Sequence, residues 1–249
     1  TATTNDTGYY SFTNLISGTY QVQVVADNFT AGNPLAGLVS SDDPDTGADP
    51  DNNTDLDDNG PGTSSGVVTS GVITLTYGAE PDGSPDVDGD SDANTNWTVD
   101  FGFVTPVNLG NYVWVDSDGD GQQDEPLSAG LDGVTVTLTT PTGVVITTTT
   151  RDGGYYTFTN LLPNTTYTVT FTPPCPPTGC YHFTTPNSSG STDASDSDAP
   201  TSGPSLGVVV VTTGITDDLT IDAGLVPPLS LGNRVWLDEG AGLFHNNGQ

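Results

Sequence analysis

The chain repeats itself, and that constrains its fold more than any other feature. Residues 7–25, TGYYSFTNLISGTYQVQVV, match residues 153–171, GGYYTFTNLLPNTTYTVTF, nearly position for position. GVITLTYG at 71–78 corresponds to GVVVVTTG at 207–214, and NWTVDFGF at 96–103 to DLTIDAGL at 218–225. LGNYVWV at 109–115 returns as LGNRVWL at 231–237. Matching segments in one order describe copies of a single supersecondary unit. Setting Asp6 against Asp152 puts Thr1 opposite Thr147, so residues 1–106 are expected to form a copy without its first two strands. Residues 107–228 then form a complete copy, and 229–249 open a third.

The repeated segments alternate apolar and polar residues and are separated by Gly, Pro, Asn and Asp, which is the period of a half-buried strand. In the complete copy strands are expected near 109–116, 133–140, 143–150, 154–160, 166–172, 207–213 and 218–225. No helical period of useful length occurs. Seven short alternating strands predict an all-β chain of tandem immunoglobulin-like β-sandwich repeats. One member of each aromatic pair, Tyr9-Tyr10 and Tyr155-Tyr156, is expected in a core, with Trp114 and Trp236 as anchors.

Charge narrows the partners. The chain has 32 acidic residues against two basic ones, Arg151 and Arg234, and a formal charge of −30. Such a field repels nucleic acid and anionic membrane surfaces and attracts divalent cations. All but three of the acids are aspartate, whose short side chain suits turns and ligand loops. No apolar run is long enough to cross a bilayer as a helix. The opening TATTND is expected to be internal to a longer secreted chain.

The acids are not spread evenly. Directly after the strand at 109–116 comes DSDGDGQQDE, with Asp116, Asp118 and Asp120 at alternate positions and Gly121 next. Calcium takes six to eight oxygens, and Asp-x-Asp-x-Asp-Gly gathers three carboxylates around one centre while glycine permits the tight turn. Gln122 is expected to add a backbone carbonyl, and Asp124 stands at the ninth position of such a loop. The twelfth position is Leu127 rather than glutamate, so the loop is not of the helix-loop-helix kind; Glu125 or Asp222 is the candidate to complete the shell. Asp86, Asp88, Asp90 and Asp92 form a second candidate calcium cluster. The acids between Asp42 and Asp58 read equally as ligands or as a solvated acidic loop, and in the third copy Asp238 matches Asp116. Asp193, Asp196 and Asp198, set among Ser and Ala, are expected to be solvated. Asp100 and Asp222 lie in alternating last strands, where a carboxylate ordinarily faces water. The loop at 116–125 is further expected to fasten its domain to the preceding copy.

Cys175 and Cys180, in CPPTGC, form either a local disulfide or a pair of free thiols; an oxidising compartment favours the bond. Zinc would need more sulfur or imidazole than this segment holds. His182 and His245 stand far from any nucleophile motif, and no catalytic residues are predicted.

Taken jointly, LGNYVWVDSDGDGQQDE, GLDGVTVTLTTPTGVVITTTTRDGGYYTFTNLLPNTTYTVTF and LTIDAGL resemble the SdrD B-like repeat, a relative of the Cna protein B-type domain of bacterial surface adhesins. The resemblance covers the complete copy almost end to end and residues 1–106 from their third strand onward. It implies a calcium-stabilised β-sandwich used in tandem as a stalk or spacer on a cell surface. Some B-type domains carry a lysine–asparagine isopeptide crosslink; this sequence has no lysine, so that bond cannot form within it. Two functional classes follow: a structural stalk, fibre or matrix element whose partners are neighbouring repeats or further copies of itself, and an adhesin that binds a glycan or protein through its acidic loops.

Overall fold

A computed structural model describes residues 1–41, 58–60, 66–80, 93–177, 179–204, 206–229 and 231–232. The chain is all-β, with two single-turn 3-10 segments, Ala26–Phe29 and Leu127–Ala129, as its helical elements among the described residues. The described residues of 1–106 contribute six short strands: β1 (Gly18–Tyr20), β2 (Gln23–Val24), β3 (Val39–Ser40), β4 (Val68–Thr69), β5 (Ile73–Leu75) and β6 (Phe103–Val104). They pair as three antiparallel two-stranded ladders, β1 with β5, β2 with β4 and β3 with β6.

The region from Val107 onward is a full sandwich. Its strands are β7 (Val107–Val115), β8 (Thr135–Thr139), β9 (Val145–Thr149), β10 (Tyr155–Leu161), β11 (Thr166–Thr172), β12 (His182–Phe183), β13 (Val208–Thr212) and β14 (Ala223–Val226). One sheet has the order β10-β7-β14-β12 and the other β13-β11-β8-β9. Alternation works as the pleat requires: in β8 Val136 and Leu138 are buried between half-exposed threonines, and in β11 Tyr167, Val169 and Phe171 do the same. Those side chains meet Leu109, Val113, Tyr156, Phe158, Leu161 and Leu225 from the facing sheet in one core, the stable arrangement for two half-apolar sheets.

Trp114 is fully buried and stacks on Tyr112 at a ring separation of 6.2 Å. Of the paired tyrosines, Tyr156 is in the core and donates its hydroxyl to the Ile221 carbonyl at 2.6 Å, while Tyr155 is exposed. The same bond recurs in the first copy, where the Tyr10 hydroxyl donates to the Val99 carbonyl at 2.7 Å. The repeat is therefore visible in individual hydrogen bonds as well as in sequence.

One predicted strand is shorter than expected. The segment at 218–225 runs beside β7, with the Asp218 N–H donating to the Asn108 carbonyl and the Ile221 N–H to the Gly110 carbonyl. It becomes a regular ladder only from Ala223, where β14 pairs parallel to β7. The interruption has a local cause: the Asp222 carboxylate accepts the Tyr112 and Asn111 amides, at 2.9 and 3.4 Å, in place of a backbone carbonyl. The two-residue β12 carries too little pattern to be read from sequence.

Candidate metal centre at the end of the first complete strand

The candidate centre is built where β7 stops. The Asp116 N–H closes the parallel pairing by donating to the Leu225 carbonyl at 3.0 Å, and its side chain is fully buried. One carboxylate oxygen accepts the Gly119 amide at 2.6 Å; the other accepts the Gly121 amide at 2.9 Å and the Thr184 hydroxyl. Burial pushes this carboxyl up, but the donors from Thr184, Gly121 and Gly119 outweigh it and hold Asp116 below the ordinary aspartate range. The group is thus a fixed anion.

Gly121 makes the turn possible. Its φ is +83°, and a Cβ there would lie 2.2 Å from the Thr185 carbonyl oxygen. The turn carries Asp118 and Asp120 back toward Asp116, so that one ligand oxygen from each of the three lies within 4.8 Å of the others. Asp120 also accepts the Gln122 backbone and side-chain amides at 2.8 and 2.9 Å. Asp124 is exposed and outside this group of three. Glu125 is also outside that group of three: one of its oxygens accepts the Ser117 amide at 2.6 Å, the other is buried with no hydrogen-bond partner, and its side chain lines a small pocket with Tyr112, Trp114 and Gln123.

A second acidic group sits on the neighbouring loop, contrary to the expectation of solvated residues there. Asp193, Asp196 and Asp198 likewise bring one oxygen each within 4.8 Å of one another. Asp196 is only 5% exposed; one oxygen accepts the Ser191 hydroxyl at 2.7 Å and the other, Oδ1, is buried with no hydrogen-bond partner. A buried carboxylate oxygen without a donor is costly unless a cation faces it. The two loops are stitched together: the Gln123 amide donates to the Ser195 carbonyl, the Ser197 amide to the Gly121 carbonyl, and the Ser188 hydroxyl to the Asp120 carbonyl. Sequence spacing missed this group because D-A-S-D-S-D among serines looks like a solvated turn. The burial of Asp196 comes from its bridge to Gln122, a pairing across 74 residues.

Asp222 is also not the solvent-facing residue its strand pattern suggests. It is 1% exposed and exchanges backbone and side-chain bonds with Asp198: the Asp222 amide donates to the Asp198 carboxylate at 2.7 Å, and the Asp198 amide to the Asp222 carbonyl at 2.9 Å. Burial, followed by the neighbouring carboxylates, pushes both side chains up to about 7 despite the amides that each accepts. Asp222 is committed to the amides of β7, not to the Asp116 group. The predicted cluster Asp86, Asp88, Asp90 and Asp92, the acids at 42–57 and the third-copy loop around Asp238 lie outside the described residues.

The location of the centre corrects a further expectation. Because β14 runs parallel to β7, the loop after Asp116 lies at the end of the sandwich where β14 leaves toward residue 229. That is the end away from Val107, where the nine-residue β7 begins, so it is not the end at which residues 1–106 join. Cys175 and Cys180 are joined by a disulfide with an S–S distance of 2.07 Å.

The family model described as the SdrD B-like domain matches residues 107–225, the segment folded into the full sandwich. The chain carries an SdrD B-like domain. Among its relatives, serine-aspartate repeat-containing protein F of Staphylococcus epidermidis is 36% identical over 244 residues, covering 95% of this chain and 11% of the relative. Serine-aspartate repeat-containing protein D of Staphylococcus aureus strain Newman is 34% identical over 246 residues, covering 96% of this chain and 14% of the relative. The chain thus corresponds to a small part of these proteins, and the likeness extends beyond the SdrD B-like domain into residues 1–106.

Proposed function

We propose that the chain is a structural segment of an extracellular or cell-surface stalk, fibre or matrix, in which tandem β-sandwiches are stiffened by calcium. The units are residues 1–106, 107–228 and the opening of a third at 229–249. The observation that carries this reading is the convergence of Asp116, Asp118 and Asp120 at the end of the sandwich where β14 leaves toward residue 229. Three carboxylates within 4.8 Å repel one another strongly, and among the described residues the only ion pair, Arg151 with Asp152, is fully on the surface. The donors are all hard oxygens, and the buried, unpartnered Asp196 Oδ1 belongs to the adjoining group. This set suits calcium in preference to a softer metal. Asp116, Asp118 and Asp120 would hold one ion, with Asp193, Asp196 and Asp198 offering a second position on the linked loop.

A cation there would neutralise the loop and tie the end of β7 to the exit of β14, limiting bending toward residue 229. Tandem domains with short, stiff junctions transmit length, which is what a stalk requires. Electron microscopy of secreted material tests the role. Extended filaments or stalks in calcium that become visibly more bent after chelation support it; globular particles in both conditions contradict it.

A further inference from the structure

One edge of the full sandwich is open and uncharged. β13 ends its sheet, pairing with β11 on one side and with no described residue on the other. Two bonds at the ends of this ladder set its phase: the Phe171 amide donates to the Gly207 carbonyl, and the Thr213 amide to the Thr165 carbonyl. Bonded pairs alternate along an antiparallel ladder, so the odd-numbered residues of 207–213 direct their backbone groups to β11, whereas Val208, Val210 and Thr212 turn theirs outward. Val209 and Val211 pack against the core and hold the strand in place. Val210 is 68% exposed, and Leu206 and Ile215, just beyond the two ends of the strand, are 52% and 78% exposed.

A row of outward amides and carbonyls is a template for another strand, and edges are ordinarily blunted by charge, proline or a covering element. β13 reads VVVVT, without proline, and residues 200–216 hold no charged side chain in a chain of formal charge −30. The opposite edge of the sheet differs, because β9 runs on into Arg151 and Asp152, the surface ion pair. We propose that β13 is a lateral contact between copies of this chain, pairing antiparallel with β13 of a second copy about Val210. That register sets Val210 opposite Val210 and Val208 opposite Thr212, and it joins two four-stranded sheets into one continuous sheet. Charge selects the occupant. A chain with 32 acidic residues against two basic ones repels its own copies over most of its surface. Here the outward row of β13 and the threonines beside it on β11, Thr166, Thr168 and Thr170, are neutral, so two copies meet without facing carboxylates. Extending the register sets Leu206 of each copy opposite Gly214 of the other and hence beside Ile215, so both exposed apolar side chains gain an apolar neighbour. Main-chain pairing supplies the affinity, as in other strand-addition contacts. The contact is isologous and closes at a pair for each sandwich. One strand a side is small beside a standard interface of roughly 1,600 Å², so the contact is weak between single sandwiches and gains strength where several repeats run side by side. It goes beyond the stalk reading, giving stalks a way to lie together in a fibre or matrix, and it does not require calcium.

The test uses the full 249-residue chain. Sedimentation velocity over a concentration series is expected to show a monomer–dimer equilibrium for the parent, with and without chelator. Val210→Asp sets like charges directly opposite each other and is expected to weaken pairing by roughly tenfold or more. Val145→Asp, which adds the same charge at an exposed position on β9, is expected to leave the equilibrium unchanged. Mild oxidation reads the register. Opposed residues of a bonded antiparallel pair have Cα atoms about 5.5 Å apart, within disulfide reach, and the native cysteines are already bonded to each other. Val210→Cys is therefore expected to crosslink into dimers, and Val145→Cys to remain monomeric. A parent that stays monomeric at every concentration, Val210→Asp that pairs as strongly as the parent, or Val145→Cys that crosslinks as fast as Val210→Cys would overturn the proposal. Each of these results leaves the calcium-stiffened stalk standing, since that reading fails on chelation and not on lateral pairing.

Discussion

At the scale of single residues, the acids sort into two kinds. Asp116 is a fixed anion, saturated by donors and held below its usual range; Asp198 and Asp222 are protonatable acids, pushed up to about 7 mainly by burial. The sign of their pH effects is opposite. A raised folded-state value means that the folded protein binds more protons than the unfolded chain between the ordinary aspartate range, roughly pH 4, and pH 7. Calcium-stripped protein is therefore expected to lose stability as pH rises from about 4 to 7 and to level off above it. Below roughly pH 4 the contribution of Asp116 is lost as its carboxylate protonates. Denaturant titrations of stripped protein across this range check the slope; stability that rises steadily from pH 4 to 7 would contradict it. Asp196 supplies a second residue-level prediction. Its unpartnered buried oxygen penalises the metal-free fold, so Asp196→Asn is expected to be neutral or stabilising by about 1 kcal/mol without calcium. With calcium the same variant is expected to be the less stable protein, and a variant equal to the parent in both conditions would remove Asp196 from the second position.

At the scale of elements, the alternating pattern made most of the complete copy legible. The expected strands at 109–116, 166–172 and 207–213 differ from β7, β11 and β13 by two residues or fewer at either end. What stayed hidden depended on side chains replacing backbone partners: Asp222 takes β7 amides and breaks the ladder at 218–222, and Gln122 pairs with Asp196 to bury an acid that local composition marks as solvated. The candidate metal loop was readable because its three aspartates are close in sequence. Its position at the end of the sandwich away from Val107 was not, because that follows from the parallel pairing of β14 with β7, which no local pattern encodes. Matched positions in the two copies give a paired test. Phe158→Ala removes a ring buried against Tyr156 and is expected to cost about 3–5 kcal/mol. Phe12→Ala, at the matching but exposed position, is expected to cost less than about 1 kcal/mol. Equal costs in urea melts would contradict the difference in burial between the two positions.

At the scale of the whole molecule, repetition and charge act together. A chain of formal charge −30 repels itself, and in the proposed stalk cations at the acidic end of the sandwich would relieve that repulsion. The acidic stretches at 40–62 and 80–94 add to the same charge. The most direct test is thermal unfolding of the full chain in saturating calcium and again after chelation, with Asp116→Asn alongside. At a hundredfold excess over its Kd, one bound ion adds about 2.7 kcal/mol, which for a domain of this size is a rise in Tm of roughly 10 °C. The parent is expected to show that rise for the unit at 107–228, and Asp116→Asn to lose most of it. Superimposable melting curves for the parent with and without calcium would contradict a calcium-stiffened stalk.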